Sequence, residues 1–516
     1  MEHIIRVVLC LFMALTLCCG CSAGEETGGV NVVDVGGVSA DSSASADYGN
    51  DSTTAEHGDS DDGEYGVESG ESPADTSEDY AADDTSDTAI VADEPAPAVT
   101  ATTPTTAATT AATAATPAAT TAATTTAATT AANPTVSVGS IGSSSYKTLN
   151  YSEVKGVWIS YIELADMLTG RTREQFTAAI GEAYDNAVSL GLNTVYVHVR
   201  SHGDAYYDSE LYPWSKYVSG SLGTAPDFDP LEIMISEAHS RGLSFQAWIN
   251  PLRACAVSDI GGESGYPIYS WVNGSDTADR YVVRVGDYYY LNPAYEEVTD
   301  YIAAGAAEIV ANYDVDGVHI DDYFYPTTDA SFDSSAYAES GFSTISSFRL
   351  SNCDRLVSGI YKAVKSANPN ALFGISCQGS IENNYNQMYA DVEKWCTQGG
   401  YTDYIMPQIY YGFDNSSQPF AQCAAEWDAL ASSGGIPLIA GLSVSKIGLE
   451  DTWAGAGKNE WITDKNILER QYTELLKQQS YGGFCLYSYR SIFTPDSSVS
   501  AQVAQEIQAL KTAINQ

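Results

Sequence analysis

The chain has 516 residues and carries 67 acidic against 23 basic residues, a formal net charge of −44 at pH 7. A chain this acidic lacks the clustered Lys and Arg that bind phosphate backbones, which argues against nucleic acid as a partner. The charge is uneven, because residues 22–146 contain 21 of the acidic residues and no Lys or Arg. The remaining residues, 147–516, are enough for one large folded domain.

Residues 1–21 are predicted to be a lipoprotein signal peptide. Residues 7–20 form an apolar run of signal-peptide length that is too short for a comfortable membrane span. Gly20 precedes Cys21 as in a bacterial lipobox, although Cys18 stands where Leu is usual. We therefore expect a lipid on Cys21 as the only membrane attachment, at the extracellular face of the bacterial cell membrane. A cleaved signal and an uncleaved anchor are the alternatives.

Residues 22–146 are predicted to be a disordered linker. Residues 22–94 are rich in Gly, Ser, Asp and Glu, and residues 95–136 are almost entirely Thr and Ala with scattered Pro. Neither composition can bury enough apolar surface to offset the entropy of ordering the chain. The segment would act as a surface spacer that gives the folded domain reach within a cell-wall layer.

Strand and helix patterns alternate over residues 147–516. The strands are predicted at residues 156–160, 193–200, 244–250, 316–321, 372–377, 404–410, 437–441 and 482–487. The helices are predicted at residues 173–190, 229–241, 295–312, 342–367, 386–399, 417–434, 465–480 and 499–514. This strict alternation favours a closed (β/α)8 TIM barrel with long βα loops, of which residues 251–291 form one that should shape a substrate cleft. A doubly wound open sheet is the alternative, but no Gly-rich phosphate-binding turn follows the first strand.

The strand at residues 316–321 ends in two carboxylates. Side chains alternate along a strand, so apolar residues share one face while His319 and Asp321 share the other. Barrel enzymes place catalytic residues at the C-terminal ends of the strands, which makes Asp321 and Asp322 the first catalytic candidates. Paired carboxylates beside aromatic residues are typical of enzymes that hydrolyse glycosidic bonds. The alternative is that one or both only hydrogen-bond to loop backbone.

A further catalytic carboxylate is not fixed by the sequence. Asp204, Glu382 and Asp414 each follow a predicted strand and are the candidates for it. The alternative for each is a solvated or helix-capping acid.

Polar and aromatic side chains at the strand ends are candidates for substrate binding. Their parity points many of them into the barrel, where such side chains are unusual for a pure core. They are Arg200, His198, Trp248, Asn250, Arg253, His319, Tyr323, Tyr325, Gln408, Tyr410 and Tyr411. The alternative is packing, or holding the acids and loops by hydrogen bonds. No HExxH motif, EF-hand loop or ligand-spaced His and Asp cluster occurs, so neither a metal nor a cofactor is expected.

Six cysteines follow the predicted signal peptide, and they show neither CxxC spacing nor a metal-ligand pattern with the histidines. We predict that most of them are small buried apolar residues. They are Cys255, Cys353, Cys377, Cys396, Cys423 and Cys485.

A series of ordered sequence blocks between residues 153 and 490 carries a family resemblance. The blocks are Lys155-Gly-Val-Trp158, Gly203-Asp-Ala-Tyr-Tyr207, Pro213-Trp-Ser215, Asp229-Pro-Leu231, Glu237-Ala-His-Ser-Arg-Gly242, Ala247-Trp-Ile-Asn-Pro251 with Arg253, Leu291-Asn-Pro293, residues 312–326, Tyr389-Ala-Asp391 with Lys394-Trp395, and residues 404–410. Through them the chain resembles glycosyl-hydrolase-like family 10. The resemblance implies a (β/α)8 barrel and an exported cell-envelope glycosidase. Bacterial members of that family include a divisome-localised hydrolase of peptidoglycan glycan strands stripped of stem peptides.

The chain departs from the family pattern near the expected cleft. Leu252 stands where the family usually has Tyr, and Ser376-Cys-Gln-Gly379 replaces the usual Ser-Pro-Phe-Gly. The strand at residues 316–321 also resembles the chitinase signature, with Tyr323 where that signature has its acidic Glu.

The residues and the resemblance together predict a glycosidase acting on a polysaccharide, with peptidoglycan stripped of stem peptides as the leading substrate. One alternative is a non-catalytic glycan-binding surface lipoprotein. The other is a hydrolase of another extracellular polysaccharide.

Overall fold

The computed structural model describes residues 142–260 and 265–516. The predicted signal peptide with Cys21, and the predicted linker up to residue 141, lie outside the described residues. The last residues assigned to the linker already contact the folded domain. The Ser144 backbone N–H donates to the Ala367 carbonyl at 2.8 Å, and the Tyr146 hydroxyl donates to Asp316 at 3.0 Å. Within the two described ranges, the helices are too short or too polar to span a membrane.

The strands form a closed parallel barrel and a small separate sheet. In chain order they are β1 (Val154–Ile159), β2 (Thr194–Arg200), β3 (Ser244–Ile249), β4 (Arg253–Ala256), β5 (Val282–Val285), β6 (Tyr288–Leu291), β7 (Gly317–Ile320), β8 (Leu372–Ile375), β9 (Tyr404–Ile405), β10 (Leu438–Ser443) and β11 (Tyr481–Tyr487). The barrel order is β1-β2-β3-β7-β8-β9-β10-β11, with β11 pairing back to β1. This closure confirms the predicted eight-stranded barrel and excludes the open sheet.

Helices follow the barrel strands near the predicted ranges, except that the helix predicted at residues 386–399 is replaced by two short helices, at residues 381–386 and 392–397. In chain order, the α-helices of the described ranges are α1 (Tyr161–Leu168), α2 (Arg173–Leu190), α3 (Lys216–Ser219), α4 (Pro230–Ser240), α5 (Pro267–Asn273), α6 (Glu296–Asn312), α7 (Ser334–Ser340), α8 (Ile345–Ala367), α9 (Ile381–Asn386), α10 (Val392–Thr397), α11 (Phe420–Gly434), α12 (Glu460–Thr463), α13 (Ile467–Leu475), α14 (Tyr489–Phe493) and α15 (Ser500–Ile514). Local signals set their ends. In α2, Thr172 and Gln175 form a capping box, and Gly191 ends the helix in a left-handed conformation.

The apolar residues divide into two clusters, which confirms the alternation predicted along the strands. Val195 and Val197 belong to the large cluster between strands and helices. Tyr196, between them, belongs to a small cluster that also contains Trp158 and Trp248. Because the small cluster draws its members from the barrel strands and the residues adjoining them, it fills the barrel interior, as side chains fill barrels of this size.

Aromatic rings in the barrel interior require small neighbours. A Cβ added at Gly374 on β8 would overlap the ring of Tyr404 on the adjacent β9. Only glycine leaves room for the ring at this position. The same close approach occurs above the barrel, where a Cβ at Gly379 would meet the Gln408 carbonyl oxygen and the Tyr411 ring.

The loop at residues 251–291 contains a three-stranded antiparallel sheet in the order β4-β6-β5, together with α5. The strand predicted at residues 404–410 is shorter than expected, because β9 ends at Ile405. Its pairing continues only as isolated bridges from Gln408 to Gln378 and to Gly441. The six described cysteines are buried and free of disulfides, as predicted for small apolar residues.

Candidate active site

Asp321 lies at the C-terminal end of β7 and is 3% exposed. The indole N–H of Trp248, on the neighbouring β3, donates to its Oδ2 at 3.0 Å. The backbone N–H of Tyr323 donates to its Oδ1 at 3.4 Å. Burial raises the pKa of Asp321 from 3.8 to about 8, and the charge of Asp322 adds to this effect. The two hydrogen bonds oppose the shift without cancelling it, so this carboxyl group keeps its proton at neutral pH.

Asp322 is only partly buried, in contrast to its neighbour. The side-chain amide of Gln408 donates to its Oδ1 at 3.1 Å. A hydrogen bond from an amide stabilises the ionised form of a carboxylate. The strand end therefore presents a protonated acid beside a second carboxyl group in a wetter, hydrogen-bonded setting.

His319 is fully buried beneath the two acids and belongs to a hydrogen-bonded chain. The Trp158 indole N–H, which can only donate, lies 3.3 Å from its Nε2. Nε2 must therefore accept, and Nδ1–H donates to the Tyr404 hydroxyl at 3.2 Å. Burial lowers the pKa of His319 to about 3, so the ring is neutral. This placement, inside the barrel, gives His319 a role in supporting the site from below.

Trp248, predicted as a substrate-binding residue, does not present an open face to a sugar. It is 6% exposed, and the His198 ring stacks on it with centroids 3.3 Å apart. Nδ1 of His198 accepts the Tyr161 backbone N–H at 3.0 Å. Burial, with the charge of Arg253, lowers the pKa of His198 well below its usual value. His198 and Trp248 therefore form a neutral aromatic stack, which holds the Trp248 indole in place to donate to Asp321.

Arg253, on β4 of the inserted sheet, lies between the ring of Tyr288 and that of Tyr323, the residue after Asp322. Its guanidinium carbon lies 5.1 Å from the Tyr323 ring centroid and 4.9 Å from that of Tyr288. Such distances are typical of cation–π contacts. The Oδ1 of Asn250 accepts the Arg253 backbone N–H at 3.2 Å, so Asn250 shapes this turn.

Arg200 is not oriented as its parity predicted. The β2–β3 register shifts between His198 and Arg200, which pairs with Ile249 of the outward-facing set. Such a bulge reverses the side of the sheet to which the next side chain points. Arg200 is fully buried with its guanidinium 4.8 Å from the Tyr212 ring centroid, out of reach of a substrate.

Tyr325, also predicted as a substrate-binding residue, lies away from any open surface. It is 1% exposed, and its hydroxyl accepts the Asn352 side-chain N–H at 3.0 Å. The guanidinium of buried Arg349 lies 5.0 Å from its ring centroid and pairs with Asp333 at 2.7 Å. Tyr325 therefore packs behind the site because the chain turns inwards after the strand ends.

Tyr410 and Tyr411 lie at the rim and are half-buried. The Tyr410 ring stacks on Tyr487 with centroids 5.7 Å apart, and Tyr487 in turn contacts the edge of Trp158. This stack continues the aromatic lining from the barrel interior to the surface.

The three further carboxylate candidates lie in different settings. Glu382 is exposed in the first turn of α9. Asp414 is exposed within 4.8 Å of Glu460 and Asp464 oxygens, but Glu460 accepts the Phe413 and Asp414 backbone N–H groups at 2.8 Å each. These hydrogen bonds give Glu460 a structural role, which explains why acidic side chains lie together at this point.

Asp204 is 4% exposed and lines a separate pocket in the loop after β2. Burial raises its pKa to about 6, and the Ser215 hydroxyl partly offsets this by hydrogen bonding. Its pocket neighbours His202 and Lys216 were not predicted from the sequence, in which the adjoining Ser201–Asp204 loop was the only signal for them. Trp158, whose contact with His319 joins strands far apart in the chain, was not predicted either.

The comparisons with known proteins agree with the sequence blocks. The family model described as glycosyl hydrolase-like 10 matches residues 153–455. Glycosyl hydrolase DigH of Escherichia coli (strain K12) is 31% identical over 339 residues, which cover 58% of this chain and 76% of that protein. Glycosyl hydrolase YngK of Bacillus subtilis (strain 168) is 32% identical over 319 residues, covering 57% of this chain and 61% of that protein.

Among solved structures, the PgaB (BpsB) glycoside hydrolase domain from Bordetella bronchiseptica matches with a TM-score of 0.46 and 13% identity. The match covers 70% of this chain and 98% of that domain.

Proposed function

This chain belongs to the glycosyl hydrolase-like 10 family and is a glycosidase, and from this premise we propose that it cleaves glycan strands with Asp321 and Asp322 as its catalytic carboxylates. The observation that carries the proposal is the contrast within this pair. Asp321 is buried and has a raised pKa, whereas Asp322 is partly exposed and bound by Gln408. Glycoside hydrolysis needs one carboxyl group that donates a proton and another that acts while ionised.

Asp321 is the general acid in this proposal. Its proton passes to the glycosidic oxygen as the bond from that oxygen to the anomeric carbon breaks. Water supplies the hydroxyl group that the anomeric carbon gains and a proton that replaces the one donated. Asp322 is the ionised partner that stabilises the positive charge developing on the sugar ring or assists the attacking group. Trp248 and Gln408 orient the two acids, so their roles are positional.

The proposed substrate is peptidoglycan whose stem peptides have been removed, and the proposed location is the outer face of the bacterial cell membrane. The family resemblance of the sequence blocks supports the substrate. The apolar run ending in Cys21 supports a lipid anchor, and the Thr- and Ala-rich residues that follow supply a spacer.

The test of the activity uses amidase-stripped sacculi, intact sacculi and a panel of other polysaccharides, with products identified by mass spectrometry. The full chain should release peptide-free oligosaccharides from stripped sacculi, and Asp321→Asn should lower the rate on the order of 10³-fold. Glu382→Gln is the matched control, because that exposed acid should leave the rate unchanged. Release from another polysaccharide alone would replace the substrate, and equal rates for Asp321→Asn and wild type would remove Asp321 from the mechanism.

The location has its own test. Cell fractionation should find the chain with the membrane, and Cys21→Ala should release it from that fraction or block its maturation. Wild-type protein recovered entirely in the medium would contradict a lipid anchor.

A further inference from the structure

A small pocket lies beside the candidate active site, within the part of the chain that the structure describes. Its volume is about 40 Å³, which is room for roughly three water molecules. The pocket is therefore the size of one sugar substituent and too small for a whole pyranose ring. Its lining includes Asp204, Lys216, Tyr217, Leu222 and Tyr288.

The pocket contains a buried acceptor without a partner. Asp204 is 4% exposed, and its Oδ1 has no hydrogen-bond partner among the described residues. A buried carboxylate oxygen left unpaired is costly, and such atoms usually receive a hydrogen bond from water or a ligand. A ligand group in this pocket should therefore bring an N–H or O–H donor.

The pocket also offers a donor and apolar walls. Lys216 pairs with Asp259 at 3.1 Å and lies 5.3 Å from the Tyr217 ring centroid. One ion pair does not use all three N–H bonds of an ammonium group, so Lys216 can also donate to a carbonyl oxygen. Leu222 and the tyrosine rings form the apolar part of the lining. An acceptor, a donor and an apolar wall together complement the N–H, the carbonyl and the methyl of an acetamido group.

Arg253 connects the pocket to the strand end that carries the two carboxylates. The ring of Tyr288, in the pocket wall, lies 4.9 Å from the Arg253 guanidinium carbon. The same guanidinium lies 5.1 Å from the ring of Tyr323, the residue that follows Asp322. One cation–π stack therefore separates the pocket from the catalytic strand end.

We propose that this pocket is a specificity subsite that binds the acetamido group of an N-acetylated sugar, with Asp204 accepting its amide N–H and Lys216 donating to its carbonyl oxygen. The inference rests on the proposed function, which it deepens by naming the chemical feature of the glycan that is selected. Asp204 acts in this subsite as a binding residue and takes no part in bond cleavage.

The test compares three β-1,4-linked hexasaccharides that differ only at C2: N-acetylglucosamine, glucosamine and glucose oligomers. Dissociation constants are measured by calorimetry on the full chain carrying Asp321→Asn, so that no ligand is consumed. The N-acetylated oligomer should bind about 10-fold more tightly than the glucose oligomer. Tighter binding of the glucosamine oligomer would overturn the proposal in favour of an ammonium subsite, and equal affinities would overturn it altogether.

Two pocket variants separate the subsite from a general effect on folding. Leu222→Phe fills the pocket from a half-buried wall position, so the ratio of the dissociation constants of the glucose and N-acetylated oligomers should fall to about 1. Leu222→Ala leaves the pocket open and should retain the wild-type ratio. Asp204→Asn keeps one acceptor oxygen and should retain part of the preference. An unchanged preference in Leu222→Phe, with an unchanged thermal midpoint, would overturn the proposal.

The activity assay distinguishes the two levels of failure. If stripped sacculi are cleaved equally by wild type and Leu222→Phe, the subsite fails while the glycosidase proposal stands. If wild type neither cleaves nor binds any of these glycans, both fail.

Discussion

Two buried aspartates five residues apart lie at opposite ends of β7 and differ in the hydrogen bonds that their carboxylates accept. Asp316, before the strand, accepts hydrogen bonds from the Tyr146 hydroxyl, the backbone N–H groups of Leu149 and Phe245, and His239. Asp321, after the strand, accepts two, one of them long at 3.4 Å, and lies beside another acid.

The two aspartates are both buried, so the difference between them lies in the hydrogen bonds and charges around each carboxylate. Asp316, which accepts from donors on several segments, holds those segments together. A carboxylate with few donors and a like charge nearby retains its proton instead. The N-terminal end of the strand therefore joins neighbouring segments, and the C-terminal end carries the acids that we propose to be catalytic, which is the division expected of a barrel enzyme.

Exchanging each aspartate for asparagine should give opposite outcomes. Asp321→Asn should lose activity on the order of 10³-fold with folding intact, because the neutral side chain cannot donate the acid proton. Asp316→Asn should lose about 3 kcal/mol of stability with activity per folded molecule retained, because the amide places N–H groups against existing donors. The rate of glycan cleavage measures the change in activity, and equilibrium unfolding in denaturant measures the change in stability. Loss of activity in both variants at full stability would contradict the division.

Trp248→Phe removes one of the two donors to Asp321 and should lower activity by about 10- to 30-fold. Because this hydrogen bond favours the charged carboxylate, its loss should also move the alkaline limb of the pH–rate profile to higher pH. Trp395→Phe is the matched control, since its indole N–H donates to Asp354 at 2.7 Å, in a helix–helix contact. That variant should lose stability without moving the pH profile. An identical profile for Trp248→Phe would argue for a purely structural tryptophan.

Gln408→Leu removes the amide donor to Asp322 and should lower activity by about 5-fold. Gln408→Glu should lower it further, because a second carboxylate repels Asp322. Initial rates with the two variants, normalised to folded protein, give the order. A Glu variant as active as the Leu variant would show that Asp322 is not charged during the reaction.

The smallest expected effect concerns the pH dependence of stability. The unfolded chain releases the Asp321 proton near pH 3.8, while the folded state holds it to about pH 8. The folded state therefore loses stability as pH rises through this window, and the loss is complete above it. As pH rises between these limits, the thermal midpoint of Asp321→Asn should rise by a few degrees relative to that of wild type. The difference should not grow further above about pH 8. A constant difference at all pH values would mean that the pKa of Asp321 is not raised.

The sequence predicted the barrel well because side-chain alternation is a local property. The partition of Val195 and Tyr196 between two clusters follows from it directly. Arg200 was misplaced because a bulge inserts a residue without changing the apparent alternation. Tyr325 was misplaced because alternation carries no information once the strand has ended at Ile320.

The candidate site could be predicted only in part, because its residues come from several strands. Asp321 and Asp322 stand at a strand end, which the pattern locates, but their donors Trp248 and Gln408 come from strands brought together only by barrel closure. The pocket around Asp204 depends on the packing of the loop after β2 against β4 and β6, and loop packing leaves no periodic signal in the sequence.

The contact between Gly374 and the ring of Tyr404 has a consequence for how this sequence can diverge. Any side chain at Gly374 overlaps the ring, so the glycine can change only after Tyr404 has become smaller. The Tyr404 hydroxyl also accepts the Nδ1–H of His319, so a smaller residue at position 404 would weaken the support beneath the strand end that carries Asp321 and Asp322. The two positions should therefore be inherited together, and an engineer who repacks this layer must replace both residues at once.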